Sequence, residues 1–425
     1  MEIYLNLHER SIELMENKFE KGFMCGYLLG HSINEEESTE PYRSSWEYPN
    51  DWLNIPEPSE NQIKLLVSRK AFSTGDSVFK MDIYYSKKSS KTNTYVDYGD
   101  GSEPVNIKKK SDKNSRYYYI SWEGHTFKEG TGHKTINSEQ WIVTINFDKS
   151  LNDEYYYIPS TSLMDILGMK IGHSKYVGNP YRTPRRLVSN GAITIRLHYL
   201  KVCNGLLDFV SIRSTEIRKI ELNDNITEIP AGMQLYSRFL RSINLDNIVS
   251  IGDNTFSDAY SLINPYCPNL ESVGNNVFSD THITEITKKT FPKLKSIGDR
   301  AFLGCYWLET LDSEIIETIN DRAFSYCGSL KYINLPNVKS VGSELGDSTT
   351  LYAYLPLCEK VGNNAFTNER NLKEIDLRSC TEFGTNPFVN TYRLKKIIIP
   401  EGTDISNYCT NIGINCEIEY YKKEQ

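Results

Sequence analysis

Asp97, Asp100 and Glu103 crowd into one turn, in and just after Tyr95-Val96-Asp97-Tyr98-Gly99-Asp100-Gly101-Ser102. Carboxylate oxygens so close together are hard ligands of the kind that Ca²⁺ takes. The competing reading is a plain turn, in which each Asp accepts N–H bonds from its own backbone a residue or two on. His125 and His133 flank a Gly-bearing turn and offer imidazole nitrogens to a metal, or else pack as structural residues. The seven histidines (8, 31, 125, 133, 173, 198 and 282) otherwise scatter, and no H-E-x-x-H pair exists. No G-x-S-x-G elbow, P-loop or dinucleotide fingerprint is present, and Gly168-Met169-Lys170-Ile171-Gly172 is too short to count as one. A glycosidase would need two carboxylates across a groove, which the spacing does not place. The chain therefore reads as a non-enzyme, with no catalytic residue, no metal and no cofactor expected.

A second constellation favours recognition over chemistry. Leu330-Lys331-Tyr332-Ile333-Asn334-Leu335, Leu372-Lys373-Glu374-Ile375-Asp376-Leu377 and Leu394-Lys395-Lys396-Ile397-Ile398-Ile399 share an L-x-x-I-x-L or similar pattern. Alternation on a strand turns Leu and Ile inward and the other residues outward. Tyr332, Asn334, Glu374, Asp376 and Lys396 should then line one exposed face, fit for protein or glycan recognition.

These strands are positioned by a repeat. The phrase is aliphatic, Gly, two polar residues, a small residue and Phe. It occurs at Ile251-Gly252-Asp253-Asn254-Thr255-Phe256, Val273–Phe278, Ile297–Phe302, Ile319–Phe324 (Asn320 in the Gly place) and Val361–Phe366, with weaker copies from Ile229, Val341 and Phe383. The starts are 22, 22, 24, 22, 22, 20 and 22 residues apart. Such a period means a solenoid whose turns bury their apolar sides on one another. Gly is expected to permit a tight turn and Phe to fill the core. The copy at Val341 has Leu345-Gly346 where Ala-Phe should stand, so a bulge or local irregularity is expected there.

Ala301-Phe302-Leu303-Gly304-Cys305-Tyr306-Trp307-Leu308 and Ala323-Phe324-Ser325-Tyr326-Cys327-Gly328-Ser329-Leu330 resemble the BspA-like class of leucine-rich repeat, whose consensus runs close to I-G-x-x-A-F-x-x-C-x-x-L. The resemblance covers nearly half the chain. Cys305 and Cys327 should stack in an interior column as small hydrophobes. Nine cysteines with no CxxC pair suit free thiols in a reducing cytoplasm, although disulfides between neighbouring turns are possible.

The 425 residues allow two or three domains, and the net charge of −7 argues against a nucleic-acid partner. No run approaches a membrane span, and none reads as a secretory signal, so no membrane insertion is expected. Residues 1–60 read as an arm and linker. Ile12, Met15, Phe19 and Phe23 recur at helix spacing there, Ser11 could cap the helix, and the best apolar stretch runs from Phe23 to Leu29. Pro56 and Pro58 hold the end of that part extended.

Residues 61–160 read as strands, with Ile63 to Val67, Val78 to Tyr85, Thr94 to Tyr98, Tyr117 to Trp122 and Gln140 to Phe147 bounded by turn residues. Asp-Gly inside this stretch signals a hairpin. The order VDYGDGS, then His125-Thr126-Phe127, then a strand with Val143-Thr144-Ile145 is similar to the PKD-like immunoglobulin sandwich. The resemblance implies that Asp97, Gly99, Asp100, Gly101 and His125 form a structural turn. Residues 161–215 read as a connecting segment and cap, and 216–425 as the solenoid. The fold expected is mainly β, an immunoglobulin/PKD-like sandwich followed by a leucine-rich repeat solenoid.

The phrase Pro49-Asn50-Asp51-Trp52-Leu53 before a GDG sandwich resembles the N-terminal module of phage structural proteins. It implies a tail- or head-associated virion appendage. Such a protein would hold other virion proteins through its N-terminal region, meet a host surface protein or glycan through the repeats, and could form a homo-oligomer. The alternative is a bacterial cell-surface adhesin.

Overall fold

The computed structural model describes residues 49–70, separate segments between 78 and 157, residues 165–172 and 198–203, and, with short breaks, 217–422. The expected helix at 11–29 lies outside the described residues, as do Cys25 and Cys409. No α-helix occurs among the described residues, and the chain is mainly β. Among the described residues there is no helix long and apolar enough to cross a membrane. The chain forms two compact units that divide between Cys267 and Pro268.

In the unit from 268 onward, each repeat supplies two short strands. The L-x-x-I-x-L segments build a seven-stranded parallel ladder: Glu285–Thr287, Thr310–Asp312, Tyr332–Asn334, Tyr352–Tyr354, Glu374–Asp376, Lys396–Pro400 and Glu417–Tyr421. Ile286, Leu311, Ile333, Ala353, Ile375 and Ile397 sit at equivalent rungs and are buried. The aliphatic residue of each phrase builds the second ladder, which includes Ser296–Ile297, Thr318–Ile319, Ser340–Val341 and Lys360–Val361. The phenylalanines stack between the ladders. Phe302 lies parallel to Phe278 and to Phe324, with centroids 5.5 Å apart in each case.

Glycine serves these turns differently from the expectation. Gly298, Gly342 and Gly362 are not left-handed; the left-handed residue is the second polar one of the phrase, as at Asn276 (φ 53°), Arg300 (54°), Arg322 (59°) and Asn364 (54°). Glycine is needed for close approach. A Cβ on Gly362 would stand 2.5 Å from the Gly342 carbonyl carbon, and one on Gly342 2.5 Å from that of Asn320.

The irregular copy at Val341 does not break the ladder. Ser340–Val341 pairs in register with strands on both sides. Leu345 is fully buried, and the missing Phe leaves room beside Gly346 for the Glu369 carboxylate, which accepts from the Thr350 N–H at 3.2 Å. The expected irregularity is therefore one of side chains.

In the unit 43–267, one sheet runs through the boundaries expected at 160 and 215. Its order is Val105–Ile107, Thr94–Asp97, Ser138–Phe147, Gln62–Lys70, Asp165–Ile171, Tyr199–Val202, Lys219–Glu221 and Ser242–Ile243. Pairing is antiparallel as far as Asp165–Ile171 and parallel from there on. The sheet thus passes from hairpin pairing to the parallel pairing of a repeat without a break. A second sheet orders Tyr156–Tyr157, Asp82–Ser86, Tyr117–Ser121 and Lys109–Ser111.

Residues 52–55, assigned by sequence to the linker, instead pack on the first sheet. Ile55 is buried with Leu66 and Tyr199, and Trp52 and Leu53 pack against that cluster. Leu53 donates its N–H to Gln140 Oε1 at 2.9 Å. Apolar side chains on a strand face need such a cover, and the Pro49–Leu53 phrase begins it.

Candidate functional site

The outward side chains of the seven-stranded ladder fall into two rows. One row is Thr310, Tyr332, Tyr352, Glu374 and Lys396, and the other is Asp312, Asn334, Tyr354, Asp376 and Ile398. All five residues expected to line a face, Tyr332, Asn334, Glu374, Asp376 and Lys396, stand in these rows. Their expected exposure is corrected in part. Tyr332, Asn334 and Asp376 are buried, whereas Glu374 and Lys396 are half-buried. Alternation decides which way a side chain leaves the sheet, but not what lies over it.

Several of these groups are held by neighbours. Asn334 Nδ2 donates to Asp312 Oδ1 at 2.7 Å. Arg378 Nε donates to both oxygens of Asp376, at 3.0 and 3.1 Å, and its guanidinium lies 4.9 Å from the Tyr421 ring centre. Lys396 Nζ pairs with Glu419 at 2.7 Å, and this bond raises the lysine pKa. Burial raises the pKa of the Glu374 carboxyl, against the pull of Lys396 and Lys395. Burial also raises that of Asp312, against the hydrogen bond from Asn334. The rings of Tyr332 and Tyr352 are parallel with centroids 5.8 Å apart, and Lys373 Nζ stands 5.4 Å from the Tyr352 ring centre. The face offers aromatic surface, carboxylates and ammonium groups in fixed register, which suits directional recognition.

Sequence reasoning missed Tyr352, Tyr354 and Arg378. The repeat steps held the signal for the tyrosines, because a 20-residue step from Tyr332 lands on Tyr352.

The acidic turn is closed by donors. Asp97 Oδ1 accepts the Gly99 N–H at 2.9 Å. Asp100 Oδ1 accepts from Ser102 N–H (3.0 Å) and Oγ–H (2.6 Å), while Oδ2 meets His125 Nε2 at 2.9 Å and accepts the Lys128 N–H at 3.2 Å. Burial pushes the Asp100 carboxyl up, but these hydrogen bonds outweigh it and hold it well below the usual carboxylate range. The His125 ring stacks on Tyr98 at 3.6 Å, and Phe127 stacks on Trp141 at 4.4 Å. Gly99 and Gly101 are left-handed, at φ 70° and 78°, and a Cβ on Gly99 would stand 2.5 Å from the Ile142 carbonyl oxygen. Asp97 and Asp100 thus accept hydrogen bonds within the turn that Gly99 and Gly101 shape, and His125 bonds to it from another strand. Among the described residues no group of three or more His, Cys, Asp or Glu side chains could hold a metal ion.

Residues 211–309 and 295–416 match the family described as the BspA type leucine-rich repeat region, in six copies. Residues 211–416 are thus similar to the BspA type of leucine-rich repeat. A leucine-rich repeat protein from Bacteroides ovatus is similar at 24% identity and a TM-score of 0.36, over 52% of this chain. This chain spans 64% of the length of that protein. A leucine rich cell surface protein from Faecalibacterium prausnitzii is similar at 18% identity and a TM-score of 0.28, covering 53% of this chain and 80% of its own. A leucine-rich repeat protein from Eubacterium ventriosum is similar at 12% identity and a TM-score of 0.33, covering 61% and 79%. No curated protein matches the chain.

The cysteines of the repeats form no disulfide among the described residues. Cys305 Sγ donates to the Phe278 carbonyl and Cys327 Sγ to the Phe302 carbonyl, each at 3.2 Å, so each thiol bonds to the preceding turn. Burial pushes Cys305 and Cys380 up to about 12 and Cys358 up to about 11. The thiolate is the reactive form. Iodoacetamide at pH 8 is therefore expected to label Cys358 roughly 100-fold, and Cys305 and Cys380 roughly 1000-fold, more slowly in the native protein than in urea, since each pKa unit removes about tenfold of the thiolate. Equal rates by peptide mass spectrometry would show that the column is open to solvent.

Proposed function

We propose that the chain is a non-catalytic recognition protein of a bacterial cell surface. Its BspA-type ladder would present the half-buried Asp312, Tyr354, Glu374 and Lys396 side chains to a protein or glycan. The observation that carries this is the unbroken register from Thr310 to Lys396, in which a constant inward rung supports outward positions of varied chemistry. A rigid scaffold with variable outward side chains is how solenoids bind. Residues 61–160 would be a PKD-like sandwich, supported by the Asp100–His125 turn and the aromatic packing around Phe127.

The virion appendage rests on the Pro49–Leu53 phrase and the order of motifs after it. None of the similar proteins named above is a phage protein, and the repeat family supports the surface reading instead. Peptide mass spectrometry of the cell-envelope fraction and of density-purified phage particles separates the two. Recovery in the envelope is the expected result, whereas a fixed copy ratio to the capsid protein would replace the surface reading with the virion one. For recognition itself, the full chain is applied to protein and glycan arrays beside a Glu374→Lys, Lys396→Glu variant. Loss of about tenfold in affinity, some 1.4 kcal/mol, is expected on the charge reversal. Binding unaffected by it would place recognition off this face.

A further inference from the structure

Tyr306, Trp307 and Tyr326 keep 56%, 58% and 59% of their surfaces in solvent, although each ring is large and mostly apolar. They belong to two successive turns, in the loops between the Phe of the phrase and the next ladder strand. Backbone bonds fix the register of these loops: the Phe302 N–H donates to the Ala323 carbonyl and the Gly304 N–H to the Ser325 carbonyl, each at 2.9 Å. The buried thiols pin the loops from beneath, since Cys305 directly precedes Tyr306 and Cys327 directly follows Tyr326. The His282 ring, from the turn before, stacks on Trp307 at 4.9 Å and 19° and so covers one face of the indole. Trp307 directly precedes Leu308, and the residue in that place in the following turn is Ser329, before Leu330. Beside it stands Gly328, where a Cβ would meet nothing within 4 Å. The indole is thus backed on one face and flanked on the other by small residues and open space.

Polar groups rim this opening. Arg300 and Arg322 take the same place in the two turns, each two residues before its Phe. Arg322 pairs with Glu344 at 2.8 Å. The Asp280 carboxylate leans over Gly304, where a Cβ would collide with its Oδ1. Two guanidinium groups therefore meet two carboxylates. Burial lowers the His282 pKa, so the ring behind Trp307 is neutral at pH 7. We propose that this loop edge is a binding site for a neutral saccharide. A sugar ring lays its apolar C–H face on the open side of Trp307, and its hydroxyls, which both donate and accept, answer the carboxylates and guanidinium groups at the rim. Balanced charge gives no attraction for a sulfated or uronic sugar. A proline-rich segment also packs on aromatic rings, but proline has no N–H and leaves the rim carboxylates without a donor. Rings already held in register lose little freedom on binding. The site lies on the loops and not in the outward rows of the ladder, so it stands or falls apart from the recognition proposed for that face.

The test is native affinity electrophoresis of the full chain in gels holding soluble mannan, β-glucan, galactan or xylan, with dextran sulfate and polyproline as contrasts. Retardation by at least one neutral polysaccharide is expected, with affinity about tenfold weaker in Trp307→Ala. Trp307→Phe keeps a ring and should retain most of the binding. Tyr326→Ala, on the next turn, should weaken it as well and guards against an effect on folding at Trp307. The Glu374→Lys, Lys396→Glu variant should be retarded like the parent. No retardation by any neutral polysaccharide, or retardation unchanged in both alanine variants, overturns the site. Retardation by dextran sulfate or polyproline alone does so too. A loss confined to the charge-reversal variant overturns this site and leaves recognition on the ladder face.

Discussion

Replacing Phe302 by alanine is expected to destabilise the 268–425 unit by about 3–5 kcal/mol, the range for emptying a packed aromatic site. Phe302 is fully buried, lies parallel to Phe278 and Phe324, and meets the edge of Phe291 at 6.1 Å. Alanine removes the ring and leaves a hole between two stacked neighbours. Those neighbours are fixed by their own backbone bonds: the Phe302 N–H donates to the Ala323 carbonyl at 2.9 Å, and the Phe278 N–H to the Ala301 carbonyl at 2.8 Å. The site therefore cannot collapse, and the cavity cost adds to the lost burial. Phe302→Leu keeps most of the apolar volume and loses the ring pairs, so about 1–2 kcal/mol is expected for it. Urea denaturation with hydrogen exchange at Ser296–Ile297 and Thr318–Ile319 measures both. Because a solenoid is held by contacts between adjacent turns, loss of protection should spread from these rungs. A cost below about 1 kcal/mol for the alanine variant would mean that the column is filler.

Legibility in the sequence followed the strength of each local signal. The phrase ending in Phe fixed the repeat because Phe is large, apolar and periodic, and the described copies lie where the spacing puts them. The Asp97–Ser102 turn was legible because Asp-Gly has few backbone options. The parallel continuation of the N-terminal sheet was not. Ala192 to Val202 alternates and reads as a strand, and Tyr199–Val202 is one, but Lys219–Glu221 has only three residues, and alternation does not tell parallel from antiparallel pairing. Glycine was assigned the wrong duty, since composition cannot tell a left-handed residue from one that clears a neighbour's backbone. Arg300 and Arg322 carry the left-handed turn without any residue-type signal, whereas Asn276 and Asn364 do so with one. Exposure of the ladder face was the least legible property, because alternation gives the side of the sheet on which Tyr332 and Tyr352 stand but not how far they are buried.

Replacing Asp100 by alanine is expected to cost about 3–5 kcal/mol, the range for removing one partner of a buried charged network. The carboxylate answers four donors: the backbone N–H groups of Ser102 and Lys128, the Ser102 hydroxyl and the His125 ring. Alanine leaves the two N–H groups without this acceptor in a part-buried turn. Asp100→Asn keeps the shape and one acceptor, but turns an NH₂ toward a donor, so about 1–3 kcal/mol is expected. The pH dependence separates charge from shape. The folded pKa of Asp100 lies below its unfolded value near 3.9, so its stabilisation is complete above about pH 5 and is lost as pH falls through the folded pKa. The wild-type advantage over the Asn variant should therefore hold at pH 5, begin to narrow below about pH 4 and go on narrowing as pH falls towards the folded pKa. Thermal unfolding followed by tryptophan fluorescence reads this, because Trp141 is stacked on Phe127 in the same cluster. A gap that persists unchanged to pH 2 would show that the turn depends on shape alone, and that the hydrogen bonds to Asp100 do not discriminate its ionised form.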